Sequence, residues 1–244
     1  MRSAVITSLP PQRRPAAHAE GELVSLILSR HFPPDSTLPA ERELAQQLGV
    51  TRPTLREALQ RLDRDGWIDV RHGKSTRVRD IWVEGGLNVL AAVVRNGGPL
   101  PARFVTNLLE VRLAMAPAYA RAAVHANPTV IATLLSADAR PTQTAEAFAD
   151  FDWRLHLALT TASQNPVFTL ILNGFGDLYQ VMAVLYFSAP AARRASTLFY
   201  DALAQAAKKR QPERAEKVTR EAMHHSLDYW TKLERKTRAQ EGSR

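Results

Sequence analysis

Residues 38–79, LPAERELAQQLGVTRPTLREALQRLDRDGWIDVRHGKSTRVR, limit what this chain can fold into more than any other stretch. Leu44 and Leu48 are four apart, as on one face of a short helix. Gly49 breaks that helix, and Thr51 can cap the next by accepting from an amide two or three residues on. Pro53 falls in the first turn, where its missing N–H costs little. Leu55, Ala58, Leu59 and Leu62 then recur at i, i+3, i+4 and i+7, a stripe that packs on the preceding helix. Arg52, Arg56 and Gln60 share a different, wet face. Two helices at a tight glycine turn, the second capped and basic along its front, predict a helix-turn-helix.

Gly66 ends the second helix, and Trp67-Ile68-Asp69-Val70 alternates like a strand. Arg71-His72-Gly73-Lys74-Ser75 makes a turn, and Thr76-Arg77-Val78-Arg79 returns as a second strand. That adds a wing whose tip carries Arg71, His72 and Lys74 around a glycine, so its backbone can approach a phosphate closely. A charged surface helix beside an ordinary hairpin is the plain alternative, and the two halves occurring together weigh against it. The run resembles the DNA-binding domain of GntR-type bacterial repressors. Their PSERELA, TVREAL and DG signatures match residues 39–45, residues 51–59 and Asp65-Gly66. The resemblance implies DNA contacts from Arg42, Thr51, Arg52, Arg56, His72 and Gly73, and Thr54 on the second helix and Lys74 at the wing tip are added as candidates.

Around this head the chain is organised simply. A helix is expected from Ala16 to Phe32, stopped by Pro33-Pro34. Residues 1–15 contain Arg13 and Arg14 but no apolar leader, and are expected to form a disordered tail. Residues 80–88, with Gly85-Gly86, are expected as the hinge. Beyond it strand signals vanish, and Ala/Leu-rich segments of period 3.6 predict six or seven helices. Pro117 should kink one of them, and the Asn-Pro pairs 127–128 and 165–166 should cap others. The expectation is a mainly α protein: a winged helix-turn-helix of three helices and a β-hairpin over residues 16–80, an 81–88 linker, an all-α effector bundle over 89–236 and a tail over 237–244.

Composition narrows the function classes. No cysteine is present among 244 residues, which excludes disulfides and thiolate chemistry, and the net charge of +8 suits a polyanion partner. No apolar run approaches the roughly 20 residues of a membrane span, and a cytoplasmic location is expected. An enzyme using Asp152 and His156 as an acid/base pair is the alternative of another class, but no nucleophile, phosphate loop or oxyanion-hole motif accompanies them.

Polar residues inside apolar stripes mark the bundle's candidate site. On the helix from Arg103 to Val124, Arg112 falls amid Val105, Leu108, Leu109, Met115, Ala116 and Tyr119. A buried guanidinium must find a carboxylate or an anionic ligand. Ser226 lies among Met223, Leu227, Trp230 and Leu233 on the last helix, either bonded to its own i−4 carbonyl or facing a ligand. Asp152 and His156, four apart, form either a helix pair or two ligands of a divalent metal, with His224 or His225 as a third.

Asp152, His156 and Asn165 resemble the pattern of the metal-binding helical effector domains of one GntR subfamily. The imidazole expected near residues 200–202 is missing, so no bound metal is expected; Asp152, His156 and His224 are the only candidates. The chain is more similar, nearly throughout, to the fatty-acid-responsive FadR branch, whose helical domain binds long-chain acyl-coenzyme A without metal. That resemblance implies effector contacts from Arg112, Tyr186, Ser226, Trp230 and Arg235, and a homodimer released from a pseudo-palindromic operator by long-chain acyl-CoA. Pro53 and His156 depart from the branch's pattern, where a threonine and an aromatic residue stand.

Overall fold

The computed structural model describes residues 15–71, 73–86, 89, 92–93, 103–136, 141 and 144–241. The chain divides into two compact units, Met1–Pro99 and Leu100–Arg244.

The first unit is a winged helix. Helix α1 (Pro15–Leu28) precedes α2 (Glu41–Gln47) and α3 (Arg52–Asp65), and the hairpin β1 (Ile68–Asp69) and β2 (Arg77–Val78) follows. Thr51 Oγ1 accepts from the Thr54 amide at 3.3 Å, Pro53 sits in the first turn, and Gly66 closes α3 in the left-handed region at φ 91°. Leu55, Leu59 and Leu62 of α3 meet Leu23, Val24 and Ile27 of α1, Leu44 of α2, and Trp67, Ile68 and Val78 of the wing base. Ile68 pairs with Val78 and Asp69 with Arg77, antiparallel. Helix α1 ends four residues before the expected stop at Phe32, because Arg30 turns left-handed at φ 61° ahead of the prolines.

Two devices fix the chain leaving the wing. Arg77 donates to Asp35 at 2.8 Å and forks onto both oxygens of Glu84 at 3.0 and 2.7 Å. That joins the loop before α2, the wing base and the segment after it. At Gly85 a Cβ would lie 2.3 Å from the Ile81 carbonyl oxygen. Ile81, Val89, Ala92 and Val93 are buried in the same core as α3. The segment expected as a free hinge over residues 80–88 is therefore, where described, part of the first unit; residues 87 and 88 lie outside the described residues.

The second unit is all-helical. It comprises α4 (Phe104–Ala126), α5 (Pro128–Leu134), α6 (Ala145–Ala162), α7 (Pro166–Gly174), α8 (Gly176–Ser188), α9 (Pro190–Lys208) and α10 (Pro212–Glu241). Helix α4 packs on α10 and α6, α6 on α8, and α9 on α10. Thr144 caps α6 by accepting from Ala147 N at 3.1 Å, and Asn165 caps α7 by accepting from Val167 N at 3.1 Å. Asn127, expected as a cap for α5, instead donates to the Ala162 carbonyl at 2.9 Å and ties α5 to the end of α6. Pro117 is buried inside α4 without ending it. Helix α10 continues to Glu241, through most of the expected tail over 237–244, since no breaker precedes Gly242. Among the described residues no single helix is long and apolar enough to cross a membrane.

Gly85→Ala should destabilise the first unit by about 1–3 kcal/mol, the range for forcing an extra methyl into a packed site, because the obstructing atom is backbone. Urea unfolding should show the drop, and an unchanged midpoint would mean that this segment is not anchored as described.

Candidate DNA interface and effector cavity

The two helices of the helix-turn-helix carry three of the expected DNA-contact residues on their exposed surface. Arg42 on α2 and Arg52 and Arg56 on α3 are exposed. The Thr51 hydroxyl is occupied with capping and also shares a 2.8 Å hydrogen bond with Thr54 Oγ1. Gly73 takes the left-handed conformation at φ 71° in the wing turn, and Lys74 beside it is exposed. His72 lies outside the described residues. Arg71 is turned back onto Asp69 at 2.5 Å. Sequence reasoning missed Glu41, whose carboxylate accepts from Arg56 Nε at 2.7 Å.

In the second unit a cavity of about 300 Å³ opens between α4, α8, α9 and α10. Arg112, Tyr186, Ser226 and Trp230 all line it, together with Asp152, Tyr179, Ser196 and His225. Arg235 does not; it is exposed further along α10. Ser226 both lines the cavity and donates to its i−4 carbonyl, Ala222 O, at 3.2 Å. A second pocket of about 80 Å³, almost wholly apolar, lies behind Leu109, Arg112, Tyr179 and Met182, which it shares with the first.

Asp152 is the polar centre of that wall. Its Oδ2 accepts from Arg112 Nη2 at 2.9 Å and from the Tyr179 hydroxyl, and its Oδ1 accepts from the Tyr200 hydroxyl at 2.9 Å. The Arg112 guanidinium also stands 5.1 Å from the Tyr179 ring centre. Burial works against the charged carboxylate, but His156, Arg112 and the two phenols outweigh it and hold Asp152 below its usual range. Burial and that carboxylate in turn push the Tyr179 and Tyr200 phenols up, so both remain donors. Of the two readings of Arg112, the carboxylate partner is found, and Nε is buried without an acceptor among the described residues.

His156 is fully buried. Its Nδ1 shares a 2.6 Å hydrogen bond with the Tyr119 hydroxyl, while Nε2 lies 3.7 Å from Asp152 Oδ2 and has no hydrogen-bond partner among the described residues. Burial, reinforced by the Arg112 charge, pushes its pKa down to about 3, so the ring is neutral at neutral pH. The residues do not fit a metal. His224 is exposed on α10 and lines no part of the cavity. Tyr200 fills the region where the resemblance places an imidazole, and Asp152 already has three donors. Among the described residues no cluster of three His, Asp or Glu is placed to hold an ion. Tyr179 and Tyr200 were not singled out in the sequence, and only the missing imidazole near 200–202 pointed to the region of one of them.

Residues 15–78 match the family model of bacterial regulatory proteins, gntR family, and residues 79–240 match the FadR C-terminal domain. The fatty acid metabolism regulator protein of Edwardsiella ictaluri is 42% identical over 216 residues, 88% of this chain and 90% of that one. The protein of the same name from Klebsiella pneumoniae is 38% identical, covering 91% and 92%. That of Pasteurella multocida is 44% identical, covering 76% and 77%. The solved structure of Lar, described as controlling the agr system of Listeria monocytogenes, superposes with a TM-score of 0.50 at 16% identity, over 92% of this chain and all of that one, a likeness of fold alone.

The neutral His156 has a stability consequence. Its folded pKa of about 3 lies below the ordinary 6.5, so between those values the unfolded chain binds more protons and stability rises with pH. The contribution is complete above the unfolded value and is lost as pH falls towards the folded one. His156→Phe should flatten that dependence in urea titrations of the second unit's unfolding. An unchanged slope would show that the ring titrates normally in the folded protein.

Proposed function

Since the chain belongs to the GntR family of DNA-binding bacterial regulators and carries a FadR C-terminal domain, we propose that it regulates fatty-acid metabolism genes as a homodimer and leaves its operator when long-chain acyl-CoA occupies the α4/α8/α9/α10 cavity. The coarser part, a GntR-type regulator of fatty acid metabolism, follows from relatives about 40% identical over most of the chain. Two heads on one operator would place α3 in successive major grooves, arginines reading base edges and fixing phosphates.

The observation that supports the effector is the Arg112 wall. Its guanidinium is paired with Asp152 through one nitrogen and unpaired at Nε, beside Ser226, Tyr186 and Trp230 in a cavity of ligand-binding size. A ligand acceptor entering there competes with Asp152 for Arg112, and Tyr179 and Tyr200 keep the carboxylate compensated while it does. An acyl tail reaching past Arg112 and Tyr179 would enter the apolar pocket behind them, each buried methylene contributing about 0.8 kcal/mol. The ligand must favour the DNA-incompetent arrangement, because equal affinity for both arrangements shifts nothing. Nothing in this scheme asks for catalysis; the relatives are regulators.

Operator release measured against acyl-CoA of increasing length should climb steeply until the pockets are full, with coenzyme A alone inactive. Arg112→Ala alone strands a buried carboxylate, which costs several kcal/mol, so it is paired with Asp152→Asn. That double variant should keep operator binding and lose release. Release by a short carboxylate, with indifference to acyl-CoA of every length, would overturn the effector assignment and leave the DNA-binding assignment standing.

A further inference from the structure

Arg42, Arg52 and Arg56 are exposed on the two helices of the helix-turn-helix, and among the described residues only one of them is held by another side chain. Arg56 Nε donates to Glu41 Oε2 at 2.7 Å, from the second turn of α3 to the first residue of α2. No other side chain among the described residues accepts from that guanidinium, which remains 59% exposed. Arg42 and Arg52 have no carboxylate partner among the described residues. The difference matters because of the shape of the group. A carboxylate on Nε fixes the plane of the guanidinium and leaves its two terminal nitrogens as a forward fork. That fork matches the O6 and N7 acceptors of a guanine in the major groove. An arginine fixed before the DNA arrives loses less side-chain freedom on contact, whereas an untethered one adapts more readily to phosphates.

We propose that Glu41 is a positioning residue for sequence recognition: it holds Arg56 as a guanine-reading fork of the head. Glu41 has a second effect through its own charge. Standing on the face that meets a polyanion, it repels backbone phosphate, so any duplex that does not offer Arg56 a guanine is bound less well. Both effects act on the ratio of specific to non-specific affinity. The inference rests on the DNA-regulator reading, and not on the identity of the effector.

The test uses the full chain. A duplex is selected from a random pool by the wild-type protein, and affinities are measured for it, for each single base-pair substitution, and for an unrelated duplex of equal length. Glu41→Gln should bind the unrelated duplex more tightly, and its discrimination at one G·C pair should fall about five- to tenfold, the lower part of the range for a bidentate contact. Discrimination at the other pairs should stay as it was. Glu41→Asp, which keeps the charge on a shorter arm, should lose the discrimination without tightening on the unrelated duplex. In an Arg56→Ala background, Glu41→Gln should have no further effect on that pair. Unchanged discrimination in Glu41→Gln overturns the proposal. So does a loss spread over all pairs, or one that persists without Arg56, which would mean that Glu41 touches the base itself. If the wild type selects no sequence at all, the DNA-regulator reading fails with it; a selected sequence read independently of Glu41 sinks only this inference.

Discussion

A carboxylate buried in a helical bundle is the constraint around which the second unit is built. Asp152 cannot stay ionised inside an apolar core without donors, and α6 alone provides none strong enough. Arg112 comes from α4, Tyr179 from α8 and Tyr200 from α9, so satisfying one charge requires three other helices to hold their relative positions. The cavity opens beside this cluster. A molecule entering it meets the most polar and most tightly coupled residues of the unit, and any exchange of hydrogen bonds at Arg112 is felt on four helices. Removing one member of such a cluster strands the others, which is why the arrangement changes in discrete steps.

The first unit depends on a different kind of connection. Its core is apolar and conventional for a small helical domain, but Arg77 links the loop before α2, the wing and Glu84. With Gly85 in close approach to the Ile81 carbonyl, the chain leaves the wing as part of the head. Val89, Ala92 and Val93 are buried in the same core.

Much of this was legible in the sequence, and the parts that were not have physical reasons. The capping threonine, the glycine turn, the α3 stripe and the wing register are local patterns of period 3.6 and 2, and local patterns survive in a single sequence. Arg112, Tyr186, Ser226 and Trp230 were found because a polar or large aromatic residue in a helical stripe stands out, or through family resemblance. Their convergence on Asp152 was not visible, since Arg112 and Tyr200 lie 40 and 48 residues from it in the chain. Tyrosine is the hardest case. Its ring satisfies an apolar stripe while its hydroxyl serves a carboxylate, so nothing in the pattern distinguishes Tyr179 or Tyr200 from core aromatics. Gly85-Gly86 reads locally as a hinge signal, whereas Gly85 also lies in close approach to the Ile81 carbonyl, which one sequence does not reveal.

Release of the operator by a ligand in the cavity requires that cavity and DNA face be coupled, and coupling between two binding events is reciprocal. The direct measurement is calorimetric titration of long-chain acyl-CoA into the free protein and into the protein saturated with operator duplex. Reciprocity predicts weaker acyl-CoA binding to the operator complex, by the same factor by which acyl-CoA weakens operator binding. Equal affinity of acyl-CoA for the free protein and the operator complex would contradict the proposed coupling.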